Sequence, residues 1–187
     1  GHHFFEGQQA FWVILESTSP REAVEEFLGP CLEDGLISDA VIAGSGSQAR
    51  AMWAVREGMD LDRLPGLVTF DVSLPIACIG DFAAVCERAI RGRWPDAHVF
   101  FFGHIGDSNL HICVSAQYGA GESDHTLDGI VYGVVKDYQG SVSAEHGIGT
   151  LKRPYLHLSR TREEIDLMLM LKRAFDPKGI LNPGKVL

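Results

Sequence analysis

The stretch Gly103-His104-Ile105-Gly106-Asp107-Ser108-Asn109-Leu110-His111-Ile112-Cys113 constrains this chain more than any other. Apolar Val99 to Phe102 leads into it, and Leu110, Ile112 and Val114 alternate with other residues on the way out. Between the two runs stands Gly106-Asp107-Ser108-Asn109, a cluster of turn formers, so the stretch predicts an antiparallel hairpin. With that turn, His104 stands directly opposite His111. Opposed residues share a face with Cβ atoms about 4.5–5.5 Å apart, close enough for two imidazoles to grip one ion. Cys113 points to the same face, because strand side chains alternate.

A partly buried pair of strand histidines with no ligand is the competing reading of the hairpin alone. A second stretch, Ser143-Ala144-Glu145-His146-Gly147-Ile148-Gly149, adds a carboxylate and a third histidine. On a regular strand Glu145 and His146 point to opposite faces. Both serve one site only where the chain bends, and the glycines permit that bend.

Four motifs in order, Trp53-Ala54-Val55-Arg56-Glu57-Gly58, Gly103 to His111, Glu145 to Lys152, and Phe175 to Lys185, carry a resemblance. They resemble the C-terminal domain of the flavin-linked D-2-hydroxyacid dehydrogenases. That family includes the D-lactate and D-2-hydroxyglutarate dehydrogenases and the glycolate oxidase flavin subunit. The resemblance implies oxidation of a D-2-hydroxy acid to a 2-oxo acid, with a hydride passing to FAD. It implies that His104, His111 and Glu145 hold a divalent ion that binds the substrate oxygens. Zinc suits two histidines and a carboxylate best, although manganese and iron(II) accept the same donors. It also implies His146 as general base, a task for which an imidazole is suited near neutral pH. Arg56 would fix the substrate carboxylate, which a guanidinium fork matches bidentately. The resemblance further implies that Cys113 falls near the substrate and Asn182, in the last motif, on the cofactor side. Two departures bear on specificity. Cys113 stands where relatives keep an asparagine, and Thr69 where several keep a lysine, which favours a smaller or less polar substrate than a dicarboxylate.

The chain of 187 residues is 45% hydrophobic and can bury a core without staples, so residues 1–187 read as a single cap domain. The family's N-terminal flavin-binding domain is expected outside it, as another domain or subunit, leaving the isolated chain without oxidase activity. Twenty-five acidic against sixteen basic residues give a net charge of −9, which argues against nucleic acid and against an anionic membrane surface. No apolar run reaches the length of a membrane span. Cys31, Cys78, Cys86 and Cys113 lack C-x-x-C spacing and read as reduced thiols, which suggests a cytoplasmic protein.

The coarse element pattern is α+β, a mainly antiparallel sheet with helices packed on one face. Strands are expected over Ala10–Glu16, Asp39–Ala43 and Leu67–Leu74. Helices are expected after Ser19-Pro20, after the Gly44–Ala49 stretch to about Met59, over Asp81–Arg91, from after the Gly119–Ser123 loop to about Tyr138 with Gly140 closing it, and from Thr161, where Thr161 and Glu164 match a capping box. The run Leu167 to Leu171 predicts a last helix that is buried or covered by a partner, a second copy of the chain being one such partner. Gly44-Ser45-Gly46-Ser47-Gln48-Ala49, following a strand and preceding a helix, imitates a dinucleotide fingerprint with Asp71 as its acid; a turn and helix start is the alternative. Two other functions remain open on the residues alone: a stand-alone metal-dependent hydrolase, and a metal- or ligand-binding module without catalysis.

Overall fold

A computed structural model describes residues 4, 11–58, 61–119 and 124–187. The chain divides into two compact units, 1–60 and 61–187.

The first unit contributes two helices, α1 (Arg21–Glu33) and α2 (Gly46–Glu57). Pro20 precedes α1, and an exposed Arg21–Glu25 pair one turn apart supports its start. The Gly44–Ala49 stretch resolves as a helix cap. Ser45 accepts from the Gln48 N–H at 3.3 Å, and Gln48 Oε1 accepts from the Gly44 N–H at 2.7 Å. Residues 39–43 are not a strand, so the strand that a dinucleotide fingerprint requires is missing. The strand expected over Ala10–Glu16 is also not formed among its described residues, 11–16. Alternation selects a face, but a strand exists only through its ladder, and 11–16 have no strand partner among the described residues.

The second unit holds the sheet: β1 (Leu67–Ser73), β2 (His98–His104) and β3 (Asn109–Ser115), in the order β1-β3-β2 and antiparallel throughout. Three further helices accompany it: α3 (Ile79–Arg93), α4 (Asp124–Asp137) and α5 (Arg162–Phe175). β1, β2 and the intervening α3 leave a gap between the parallel outer strands that β3 fills. Phe70, Val72, Leu110, Ile112 and Val114 point to one face and form the core with Phe82, Cys86 and Ile90 of α3 and Leu127, Val131 and Val135 of α4. The fold is therefore α+β with helices against one sheet face. Thr69, Asp71, Ser73, Asn109, His111, Cys113, Phe102 and His104 occupy the opposite face, by the alternation of each strand.

The hairpin register differs from the expected one. Phe102 pairs with His111 and His104 with Asn109, so the two histidines are diagonal neighbours. Ile105–Asp107 closes as a 3₁₀ turn, Ser108 takes the left-handed φ of 67°, and the Asn109 N–H donates to Asp107 Oδ1 at 3.1 Å. These contacts move the loop one residue towards the N-terminus and the pairing by two. An even shift preserves faces, so both histidines still share one.

The close of α4 also differs. Gln139, with φ 56°, takes the left-handed position expected of Gly140. Gly140 instead lies so close to β1 that a Cβ there would come 2.6 Å from the Ser73 carbonyl oxygen. That approach lets Ser141 bridge Ser73 through two backbone hydrogen bonds, of 2.8 and 3.0 Å. The expected Gly119–Ser123 loop lies, from 120 on, outside the described residues. On α5 the capping box is present, with Thr161 Oγ1 accepting from Glu164 N–H and Glu164 accepting from Thr161 N–H. Of the two alternatives for its apolar run, burial within the chain is not found, since Leu167, Met170 and Leu171 are exposed, Met170 at 64%; that leaves cover by a partner. A helix with no second layer over that stripe leaves it open to solvent.

Candidate functional site

The site builds outward from Asp71, in β1 directly opposite His111 of β3. The Ser73–Ser141 bridge carries the chain from α4 along the edge of β1, and residues 143–149 then wrap over the polar face. Asp71 is 1% exposed, and its Oδ2 accepts three consecutive backbone N–H groups, from Ala144 (3.2 Å), Glu145 (3.0 Å) and His146 (2.9 Å). Ser143 Oγ adds a fourth contact at 3.3 Å. Gly147 and Gly149, at φ +79° and +56°, let the chain leave this wrap. The bend that Glu145 and His146 need is thus made, with a buried carboxylate at its centre.

Lys152, 14% exposed at its side chain, donates to the Asp71 carbonyl (2.9 Å) and to Ser143 Oγ (3.2 Å), and its Nζ stands 3.5 Å from Asp71 Oδ2. Burial pushes the Asp71 carboxyl up. The N–H groups of His146 and Glu145, with the positive charge of Lys152, outweigh burial and hold it below its ordinary value. Burial likewise draws the Lys152 ammonium below its ordinary value, against the opposing pull of Asp71.

Two sets of donor atoms gather here, each within 4.8 Å: His104, Asp107 and Glu145, and Asp71, Glu145 and His146. Of the expected ligands, His104 and Glu145 fall in one set and His111 in neither; the His111 ring centroid stands 5.3 Å from that of Phe102 and 6.1 Å from that of His146. His104, Asp107, Glu145 and His146 are exposed, His146 at 66% of its side chain. Ligand atoms about 2.0–2.2 Å from an ion stand at most about 4.4 Å apart, so small side-chain rotations would close either set. Imidazole nitrogens and carboxylate oxygens are the donors that zinc, manganese and iron(II) take. Buried polar atoms without partners among the described residues, Asp71 Oδ1 and both amide atoms of Asn109, add unsatisfied capacity on this face. The residues fit a divalent ion.

The remaining expected residues are placed as follows. Cys113 is buried on the same face, in register with Thr69 of β1 and Phe100 of β2, so the two departures from the family pattern are direct neighbours. Asn182 sits at φ 45° in a tail pinned to the site loop, where the Val186 N–H donates to the Gly149 carbonyl at 2.8 Å. Arg153 Nη1 donates to the Gly184 carbonyl at 3.3 Å. Asp176 shapes the start of that tail by accepting from the Ile180 and Leu181 N–H groups and pairing with Lys172. Arg56 lies near the end of α2, in the first unit. Asp71, Asp107 and Lys152 were not assigned to a site from the sequence. The sequence marks Asp107 as a turn former, Lys152 as the end of the Glu145–Lys152 motif, and Asp71 as the acid of the imitation fingerprint. None of the four cysteines forms a disulfide among the described residues, and burial pushes the Cys86 thiol up to about 12, which makes it inert packing.

A model of the family described as FAD linked oxidases, C-terminal domain, matches residues 2–186. This chain belongs to that family. It is 38% identical, over 95% of its length, to the mitochondrial D-2-hydroxyglutarate dehydrogenase of Arabidopsis thaliana, and covers 32% of that protein. It is 36% identical to the D-2-hydroxyglutarate dehydrogenase of Xanthomonas citri pv. viticola, over 94% of this chain and 39% of that one. A Schizosaccharomyces pombe protein provisionally named a mitochondrial D-lactate dehydrogenase is 33% identical over 96% of this chain and 37% of its own. The chain thus spans about a third of the length of these relatives. Among the described residues, no helix is long and apolar enough to cross a membrane.

Proposed function

We propose that this chain is the substrate- and metal-binding cap of a flavin-dependent oxidoreductase that oxidises a D-2-hydroxy acid to a 2-oxo acid. The observation that carries the reading is the convergence of Glu145 and His146 with the hairpin histidines over one polar sheet face, in a chain that matches the family from end to end. Both units belong to this one cap in our reading, since the match runs through both.

In this reading His104, His111 and Glu145 hold a divalent ion, zinc by preference; His104 and Glu145 share a donor set with Asp107, whereas the assignment of His111 rests on the family resemblance. A divalent ion there supplies Lewis-acid polarisation of the substrate hydroxyl and carboxylate. His146 takes the hydroxyl proton. Its Nδ1 lies 4.0 Å from Asp71 Oδ2, beyond hydrogen-bond distance but within reach of the carboxylate's charge. Arg56 orients the substrate carboxylate, and Asn182 offers its exposed amide to the FAD side. FAD supplies the hydride acceptor and is held mainly by the flavin-binding part of the enzyme. Thr69 and Cys113, paired across β1 and β3, replace a cation and an amide with smaller groups, which favours a monocarboxylate such as lactate over 2-hydroxyglutarate. The exposed stripe of α5 is a surface for the flavin-binding part or a second copy of the chain. A cytoplasmic location accords with four cysteines that form no disulfide among the described residues, while several relatives carry mitochondrial names.

Metal analysis of protein purified without added metal tests the first half. About one divalent ion per chain is expected, lost in the His104→Ala, His111→Ala double variant. Full retention by that variant removes the site from the hairpin. Turnover of D-lactate and D-2-hydroxyglutarate by the flavin-bearing enzyme, followed with an artificial electron acceptor, tests the second half. No oxidation of any D-2-hydroxy acid would refute the reading.

A further inference from the structure

We infer that Asp71 is the positioning residue that folds Glu145 and His146 into a single site. The inference rests on the reading above, in which those two residues serve metal and proton transfer. Neighbours in an extended chain point to opposite sides, and their N–H groups alternate likewise. Here the N–H groups of Ala144, Glu145 and His146 all converge on Asp71 Oδ2, at 2.9–3.2 Å. Such a run of amides is an anion-binding concavity, and the anion is supplied by the chain itself.

The geometry does more than bend the loop. Asp71 of β1 is in register with His111 of β3, so one carboxylate ties the strand beside a hairpin histidine to the loop that bears Glu145 and His146. Lys152 closes the other side by gripping the Asp71 carbonyl and Ser143 Oγ. A charge that is 1% exposed is costly unless hydrogen-bonded and paired, and here it is both. A residue needed only to fill space at this position would be apolar. Asp71 also falls in one donor set, but its Oδ2 is taken up by the loop amides, and the role inferred is to hold Glu145 and His146 in place.

The test uses the whole chain. In the native protein, through-hydrogen-bond couplings are expected between the amide nitrogens of residues 144–146 and the Asp71 carboxyl carbon. Those three amides are also expected to exchange slowly, although they belong to no helix or strand. In Asp71→Asn, their exchange is expected to quicken at least about tenfold, because charge-assisted bonds are lost, while amides of β1, β3 and α3 keep their protection. Zinc affinity measured by calorimetry on the same variant is expected to fall at least about tenfold. Equal loss of protection throughout the second unit would make Asp71 a general stability residue and overturn the inference. Unchanged exchange at 144–146 would overturn it as well. Should Asp71→Asn not fold, the couplings in the native chain decide alone, and their absence sinks the proposal. A native chain that shows couplings and binds no metal would refute the functional reading and leave the positioning role standing.

Discussion

Two glycines three residues apart in the hairpin motif are expected to respond in opposite ways to the same substitution. A Cβ on Gly103 would stand 2.2 Å from the Asn109 carbonyl oxygen, 3.0 Å from its carbonyl carbon and 3.1 Å from Leu110 Cα. All three are backbone atoms of the paired strand, so no side chain can rotate away. Gly103 does not have a positive φ, so the penalty is steric rather than conformational. Relief requires β2 to move from β3 by roughly an ångström, about the difference between 2.2 Å and ordinary contact. Overpacking of this kind costs about 1–3 kcal/mol, and a rigid obstacle places Gly103→Ala at the upper end. Gly106 meets nothing within 4 Å, so Gly106→Ala is expected to leave stability unchanged or raise it by about 0.4–1 kcal/mol through the unfolded chain. Urea unfolding followed by circular dichroism measures both. Metal titration adds the functional consequence, since ligand distances in metal sites keep within about 0.2 Å of their ideal values. Gly103→Ala is therefore expected to weaken divalent-ion binding at least about tenfold, with Gly106→Ala near the native value. Equal midpoints for the two variants would refute the close approach of β2 and β3.

In the flavin-bearing enzyme, Glu145→Gln is expected to lose metal and turnover together, whereas His146→Ala keeps the metal and loses about 10²–10⁴-fold in kcat, the usual share of a general base. Unchanged kcat in His146→Ala would place the base elsewhere. The lowered Asp71 pKa means that the unfolded chain binds more protons between the folded value and the ordinary one near 3.9. Stability therefore rises with pH through that window and falls as pH drops below about 4; an acid unfolding limb that is no shallower in Asp71→Asn would contradict this. Thr161→Ala removes one half of the α5 capping box and is expected to cost about 1 kcal/mol in urea unfolding; no change would mean the box is not formed in solution.

The sequence by itself determined the elements whose signals are local. Alternation in Leu67–Ser73 and Asn109–Ser115, the Thr161–Glu164 box and the turn formers of the hairpin each act within a few residues, and each is found. Which residues share a face was legible too, because parity survives an even slip, so His104, His111 and Cys113 stayed together although their pairing changed. Tertiary structure alone decided the rest. Strands expected at 10–16 and 39–43 needed ladder partners, which no local pattern supplies. The hairpin register was settled by Asp107 and Ser108, whose hydrogen bond and left-handed φ outweighed the turn that composition favoured. The centre of the site came from farther still. Asp71 and the amides of 144–146 are more than seventy residues apart in sequence, and only a fold that lays the second over the first reveals why a buried carboxylate belongs there.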